Sequence, residues 1–255
     1  MDLQVPEATL VALLLGTARS TGFVLLAPPF NSSAIPMPAK GAMALALSVV
    51  ASHRIAASVP ASPGAGYLLT TTVTEVAIGA ALGFIVQLFF TGVQMAGEIL
   101  DVTGGFSLAP AYDPLSLNAH GPIGKLQFQL ASTLLFTSGG HLLVVRGFVT
   151  SYTGLPLGAS LPTGQLSHVL ITAFSQMFLA ALQIAGPMVA VLLLADVALA
   201  LLNRAAPALN VFQLGAPLKI LLCLVLLSLS FPLLPPAMNS LIETGTRAMV
   251  ALKGG

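Results

Sequence analysis

Apolar residues fall into six long segments separated by short stretches rich in proline, glycine and small polar residues. The segments run roughly from Ala8 to Phe30, Gly41 to Val59, Tyr67 to Gly97, Leu126 to Val149, Leu166 to Leu202 and Val211 to Leu234. A helix that crosses a bilayer needs about 20 residues, and four of the segments fit that length. The third and fifth are too long for one simple span, and Gly186-Pro187 is where the fifth is expected to kink or split. The linkers Pro28–Pro38, Pro60–Gly66, Gly154–Gly164 and Leu234–Pro236 should end helices. Beyond Asn239 the pattern predicts at most a short amphipathic helix.

Between the fifth and sixth segments lies a short polar centre with Asn203, Arg204, Pro207, Asn210 and Gln213. Pro207 and Pro217 cannot donate a helical hydrogen bond, so this centre is expected to break two helices into a hairpin. Asp196 lies in the first arm, and Gly215, Pro217 and Lys219 open the second. A charge at mid-membrane costs about 2.5–3.5 kcal/mol on insertion scales. Asp196 and Arg204 are therefore expected to be paired structurally, with each other or with another chain. A proton relay is the lesser reading, because no series of titratable groups leads away from Asp196.

The third segment carries a stripe. At about 100° per residue, Gly79, Gly83, Gln87, Gln94, Glu98 and Asp101 share roughly 100° of arc. In hydrocarbon such a stripe must face protein or water. It is a helix contact within the chain, a seam between subunits or a channel lining. After it comes Gly104–Pro122, whose Gly104-Gly105 releases the helix and whose Pro110, Pro114 and Pro122 prevent another. That loop keeps Phe106, Leu108, Tyr112, Leu115 and Leu117, so it either folds onto the protein's own end or plugs a pore.

Composition narrows the class. Charged residues are 7% of the 255, the hydrophobic fraction is 56% and the mean hydropathy is +0.96. Ordinary soluble domains carry about 25% charge, so the chain is read as an integral membrane protein or one buried in partners. A net charge of +1 with no basic run gives nucleic-acid binding no support. The start, MDLQVPEATL, lacks the basic flank of a signal peptide, so the first run is expected to be a retained helix. Lysine and arginine are divided evenly between the two sides of a six-span arrangement, which leaves orientation open. The chain has no tryptophan, so half of the usual interfacial belt is missing.

Catalytic signals are poor. The chain has no Gly-x-Ser-x-Gly, P-loop or dinucleotide fingerprint. His53, His120, His141 and His168 lie far apart without ligand spacing, and the Glu98/Asp101 pair lacks a third ligand nearby. The lone Cys223 reads as a core residue. Neither an enzyme, a metal nor a cofactor is expected.

Four stretches carry a resemblance: Arg19–Leu47 (RSTGFVLLAPPFNSSAIPMPAKGAMALAL), Gly97–Pro114 (GEILDVTGGFSLAPAYDP), Ser138–Phe148 (SGGHLLVVRGF) and LLNRAAPALNVFQLGAPLKI around Pro207. In this order they resemble the FliR family of type III export-gate subunits, to which the T subunits of virulence systems are related. The resemblance spans nearly the whole chain, read as one domain, residues 1–255. It implies an all-α membrane protein with about six apolar helices, several bent or broken into hairpins, packed in a helical hetero-oligomeric assembly. It implies FliP-like, FliQ-like and FlhB-like partners, unfolded exported proteins as substrates, and a place in the bacterial inner membrane at a flagellar or injectisome basal body. It implies that Phe106, Leu108, Pro110, Tyr112, Asp113 and Pro114 belong to a pore plug. NRAAPALNVFQLG leans flagellar. The alternative is a small-molecule transporter with a broken-helix site, which inverted repeats would favour; an intramembrane hydrolase comes third.

Overall fold

The computed structural model describes residues 7–55, 60, 64–106, 121–160, 163–206 and 211–251. Among them every regular element is helical. The elements are α1 (Glu7–Leu26), α2 (Met37–Ile55), α3 (Ala65–Thr103), α4 (Pro122–Thr137), α5 (Gly140–Gly154), α6 (Thr163–Ala205), α7 (Val211–Ser230) and α8 (Leu234–Ala251). Helices α1, α3 and α6 are long and apolar enough to cross a bilayer, and the bent pair α4–α5 makes a fourth if taken as one span. α2 and α7 are apolar over shorter lengths, Met37–Ser52 and Gly215–Ser230. This is the expected all-α membrane protein.

The breaks fall differently from expectation. The two overlong segments stay whole: α3 is one helix of 39 residues and α6 one of 43. Pro187 lies inside α6 without ending it. Its ring removes one hydrogen bond, but the preceding Gly186 has no Cβ to meet that ring, which eases the usual restriction before proline. Pro217 also lies inside α7, there after Ala216. The fourth segment is the one that divides. α4 closes with the Ser138 N–H donating to the Leu134 carbonyl at 2.9 Å, and Gly139 turns the chain at φ 73°, a left-handed value that favours glycine. Leu234–Pro236 begin α8 instead of linking helices; prolines suit a first turn, whose N–H groups have no helical acceptor.

The chain forms two compact units. The first comprises Met1–Phe89, Gly139–Phe174 and Ser240–Gly255. In it α1 lies against α2 at Gly16, where a Cβ would come 2.6 Å from Ser48 Oγ and 2.8 Å from Ile55 Cδ1. The Ser48 hydroxyl donates to the Leu13 carbonyl at 2.9 Å across the same contact. α1 meets α3 backbone to backbone: side chains at Gly22, Gly79 and Gly83 would strike the carbonyls of Val76, Arg19 and Phe23. Phe23 of α1 stacks on Phe148 of α5, centroids 4.5 Å apart, and Phe148 meets Tyr152 edge-on.

The second unit comprises Phe90–Ser138 and Ser175–Asn239. There α3 meets α4 at another glycine pair, where a Cβ on Gly97 would lie 2.7 Å from the Gly124 Cα. Phe90 and Phe128 add an edge-on ring contact between the same helices. Leu100, Ile123, Met188, Leu192, Cys223 and Leu227 form its apolar core. In both units small residues let helix backbones close up, as packing inside a membrane favours.

Candidate functional site

The base of the α3–α4 connection is built around one carboxylate. Asp101, two residues before the end of α3, is buried at 3% exposure. Its Oδ1 accepts the Ile123 N–H at 3.0 Å and its Oδ2 the Gly124 N–H at 2.9 Å. These are N–H groups of the first turn of α4, which have no acceptor within their own helix. An anion at that end is also favoured by the helix dipole. The N-cap of α4 is Gly121, which offers no side-chain cap, and Pro122 follows it. Asp101 therefore does from α3 what a capping residue usually does locally. A Cβ at Gly121 would collide with the Asp101 carboxylate, so glycine is required there. Hydrogen bonds to a charged group contribute about 1.5–3 kcal/mol each.

The start of the connection is fixed to the same residue. The Phe106 N–H donates to the Asp101 carbonyl at 2.9 Å, and Gly105 adopts φ 88° to allow it. Phe106 packs, partly buried, against the core that contains Ile123 from the far end of the connection. Gly104 presses on Cys223, whose Sγ would lie 3.0 Å from a Cβ there.

Gly79 and Gly83 serve the contact with α1 inside this chain, and Asp101 serves the α4 cap. At those positions the stripe is an intramolecular contact. Gln94 donates to Glu98 at 3.0 Å along the helix, and Gln87 is half-buried. Leu108, Pro110, Tyr112, Asp113, Pro114, Pro207 and Asn210 lie outside the described residues.

The hairpin charges pair differently from expectation. Asp196 bonds Lys219, with Nζ 2.8 Å from Oδ1 and 3.0 Å from Oδ2. Arg204 is exposed and makes no ion pair to a described residue; Asn203 is exposed too. In a hairpin, residues 23 apart on facing arms meet, whereas residues eight apart on one arm point about 80° away from each other.

A second ion pair was not anticipated. Arg19 of α1 and Glu75 of α3 meet at 2.5 Å with both side chains at 0% exposure. Arg19 Nη1 donates to the Leu155 carbonyl at 2.9 Å, and its guanidinium lies 4.2 Å from the Tyr152 ring centre. The Tyr152 hydroxyl donates to the Gly16 carbonyl at 3.2 Å. The other Glu75 oxygen accepts the Gly158 N–H at 3.1 Å, where φ is 77°. One charge pair thus joins α1, α3, α5 and the turn that follows α5. The signal was present: Glu75 is the lone acid of Tyr67–Gly97, and a charge in an apolar run needs an opposite partner.

No group of three His, Cys, Asp or Glu that could hold a metal occurs among the described residues. What the sites share is mechanical: each joins helices through charge, buried at Asp101 and at Arg19–Glu75 and exposed at Asp196. The comparisons with known proteins fit a chain of this construction. Residues 10–245 match the model of a family described as bacterial export proteins, family 1. Flagellar biosynthetic protein FliR of Escherichia coli (strain K12) is 32% identical over 221 residues, 86% of this chain and 83% of that protein. The protein of the same name from Bacillus subtilis (strain 168) is 30% identical over 251 residues, 95% and 96% of the two chains. Yop proteins translocation protein T of Yersinia pestis is 32% identical over 147 residues, 57% of this chain and 56% of that one. With nearly its whole length matched, the chain belongs to the bacterial export proteins, family 1.

Proposed function

We propose that this chain is a core subunit of the type III protein export gate, of the flagellar kind, and forms part of the channel for unfolded substrate proteins. That it is a component of a type III export apparatus follows from its family and from the FliR and translocation protein T relatives. The single observation that carries the reading is the family match across residues 10–245. The flagellar assignment rests on relatives named FliR that align with most of the chain, against 57% for the translocation protein. FliP-like, FliQ-like and FlhB-like subunits are its proposed partners, and the bacterial inner membrane at the basal body its proposed place. The chemistry of the described residues supports a conduit element: helices braced by glycine contacts and buried charge, with an anchored connection between α3 and α4.

The test is made in cells that assemble the full apparatus. Removing this chain should abolish export of the apparatus's substrates, and the unaltered chain should restore it. Deleting Ser107–Tyr112, which spares the Phe106 anchor, should raise small-solute leakage of cells carrying the assembled apparatus. Undiminished export without the chain would overturn the assignment; unchanged leakage with assembly confirmed would remove the plug.

A further inference from the structure

We propose that this chain binds one anionic phospholipid, with an acyl chain in a groove between α2 and α5 and the phosphate at Lys40. The proposal needs only a place in the membrane and does not rest on the channel reading.

The groove has a volume of about 200 Å³ and is lined by Phe30, Met43, Ala46, Leu47, Val50 and Val145. All six are apolar, and all belong to the first compact unit. Water is not held in such a space, because it finds no polar partners there. Spread over the roughly 10 Å of α2 between Met43 and Val50, the volume is about 20 Å² in section. One extended hydrocarbon chain fits that section, whereas a helix about 10–12 Å across does not.

The polar end is set by Lys40. Lys40, Met43, Leu47 and Val50 share about 80° of arc on α2, so the lysine stands at one end of the apolar face, about 15 Å from Val50. It is half-buried, and its Nζ donates to the Asn31 carbonyl at 2.9 Å, beside the lining residue Phe30. It makes no ion pair to a described residue. An ammonium has three N–H donors, so one backbone carbonyl leaves two for a phosphate.

The positive charge at this end is not answered by the surrounding helices. Lys40 lies in the first turn of α2, at the positive end of the helix dipole, and that turn holds no acid. The chain has no acidic residue between Glu7 and Glu75, and none between Asp113 and Asp196. α2 and α5 therefore carry no carboxylate, and α1 carries one only at its far end. A cation at a helix N-terminus is unfavourable, and a bound phosphate would answer the lysine and the dipole together. The level is also right. α1 has 20 residues, about 30 Å, which matches the hydrocarbon thickness. Its last residue, Leu26, accepts the Asn31 amide at 3.2 Å, so Asn31 and Lys40 stand near the headgroups while the groove runs inwards.

The test uses the complex purified from membranes through a tag on this chain. It is mixed with phosphatidylglycerol that carries a photoreactive group midway along its acyl chain, and labelled residues are located by mass spectrometry. Label should fall on Met43, Leu47, Val50 and Val145. Lys40→Gln should lower it at least fivefold, and Lys40→Arg should keep it within twofold. Arg204→Gln, the same loss of charge on α6, should leave it unchanged. Ala46→Phe puts a ring into the groove and should abolish labelling there while sparing label elsewhere on the chain. Groove residues left unlabelled in the unaltered complex overturn the proposal, whether another subunit covers them or nothing does. So does equal labelling by phosphatidylethanolamine, which has no net charge. Equal loss with Arg204→Gln, or a Lys40→Arg variant as poor as Lys40→Gln, overturns the assignment of the phosphate to Lys40.

Discussion

Helices α3 and α6 are alike in length and apolar character and opposite in surroundings. In their most apolar stretches, 61% of α3 residues are buried within the chain and only 17% of α6 residues. The difference follows from side-chain size along each helix. α3 presents Gly79, Gly83, Gly92 and Gly97, and each lies where another backbone or side chain comes close. α6 presents leucine, isoleucine and phenylalanine outwards, among them Ile171, Phe174, Leu182, Leu194 and Leu201. Their ion pairs differ in the same sense. Arg19–Glu75 is sealed at 0% exposure on both sides, whereas Lys219 and Asp196 remain 19% and 47% exposed. Apolarity puts a helix in the membrane; small residues decide whether its neighbours come from its own chain.

Breaking the sealed pair should have the largest effect. Glu75→Gln leaves the Arg19 charge buried without its counter-ion and should cost about 3–5 kcal/mol. The measurement is thermal unfolding of the purified complex together with the yield of assembled chain. Arg19→Met with Glu75→Leu should recover much of that loss, because a buried ion pair is rarely better than apolar packing. A loss below about 1 kcal/mol for Glu75→Gln would equate the two pairs and dissolve the contrast.

Next is the glycine contact. Gly79→Val drives a side chain into the Arg19 carbonyl and should cost about 1–3 kcal/mol or more. Among the described residues, Gly215→Ala on α7 meets only Leu199 Cδ1 at 3.4 Å, an ordinary contact. It should be neutral or stabilise by about 0.5–1 kcal/mol through helix propensity. Equal effects at the two positions would mean that backbone proximity does not distinguish the helices.

The exposed pair should matter less. Lys219→Met should lower stability of the isolated chain by about 0.2–1 kcal/mol. A double-mutant cycle between Asp196→Asn and Lys219→Met should show coupling. Arg204→Gln should change stability by less than about 0.5 kcal/mol and show no coupling to Asp196→Asn. Coupling of Asp196 to Arg204 in place of Lys219 would reverse the pairing described here.

The apolar runs were a faithful guide to helices, because burying or embedding some twenty apolar residues requires a hydrogen-bonded backbone. They were a poorer guide to breaks. Gly186-Pro187 was expected to kink or split its segment and does not split it, while Ser138-Gly139 ends a helix, although a Gly-Gly pair within an apolar run was visible in the sequence. A proline removes one hydrogen bond from a long helix; a residue at φ 73° reverses the chain's course. The candidate site was legible by element and less so by partner. Asp101 stood out as a charge at the end of a stripe, but its acceptor role depends on N–H groups more than twenty positions ahead. Asp196 was matched with its near neighbour Arg204 because sequence shows distance along one arm and not across two. Glu75 was overlooked because its partner lies 56 residues away.

The length of α6 has a consequence for how this chain is made. Its 43 residues extend about 65 Å, and a bilayer's hydrocarbon is about 30 Å thick. To fit inside, the helix would have to lean by about 60°, beyond the roughly 0–40° seen for membrane helices. Part of its outward leucine surface then lies beyond the hydrocarbon, uncovered by the described residues of this chain. If partner subunits cover that surface, a newly synthesised copy without them would present it bare to membrane proteases. The cell need not count such subunits; any surplus made without its partners would mark itself for removal.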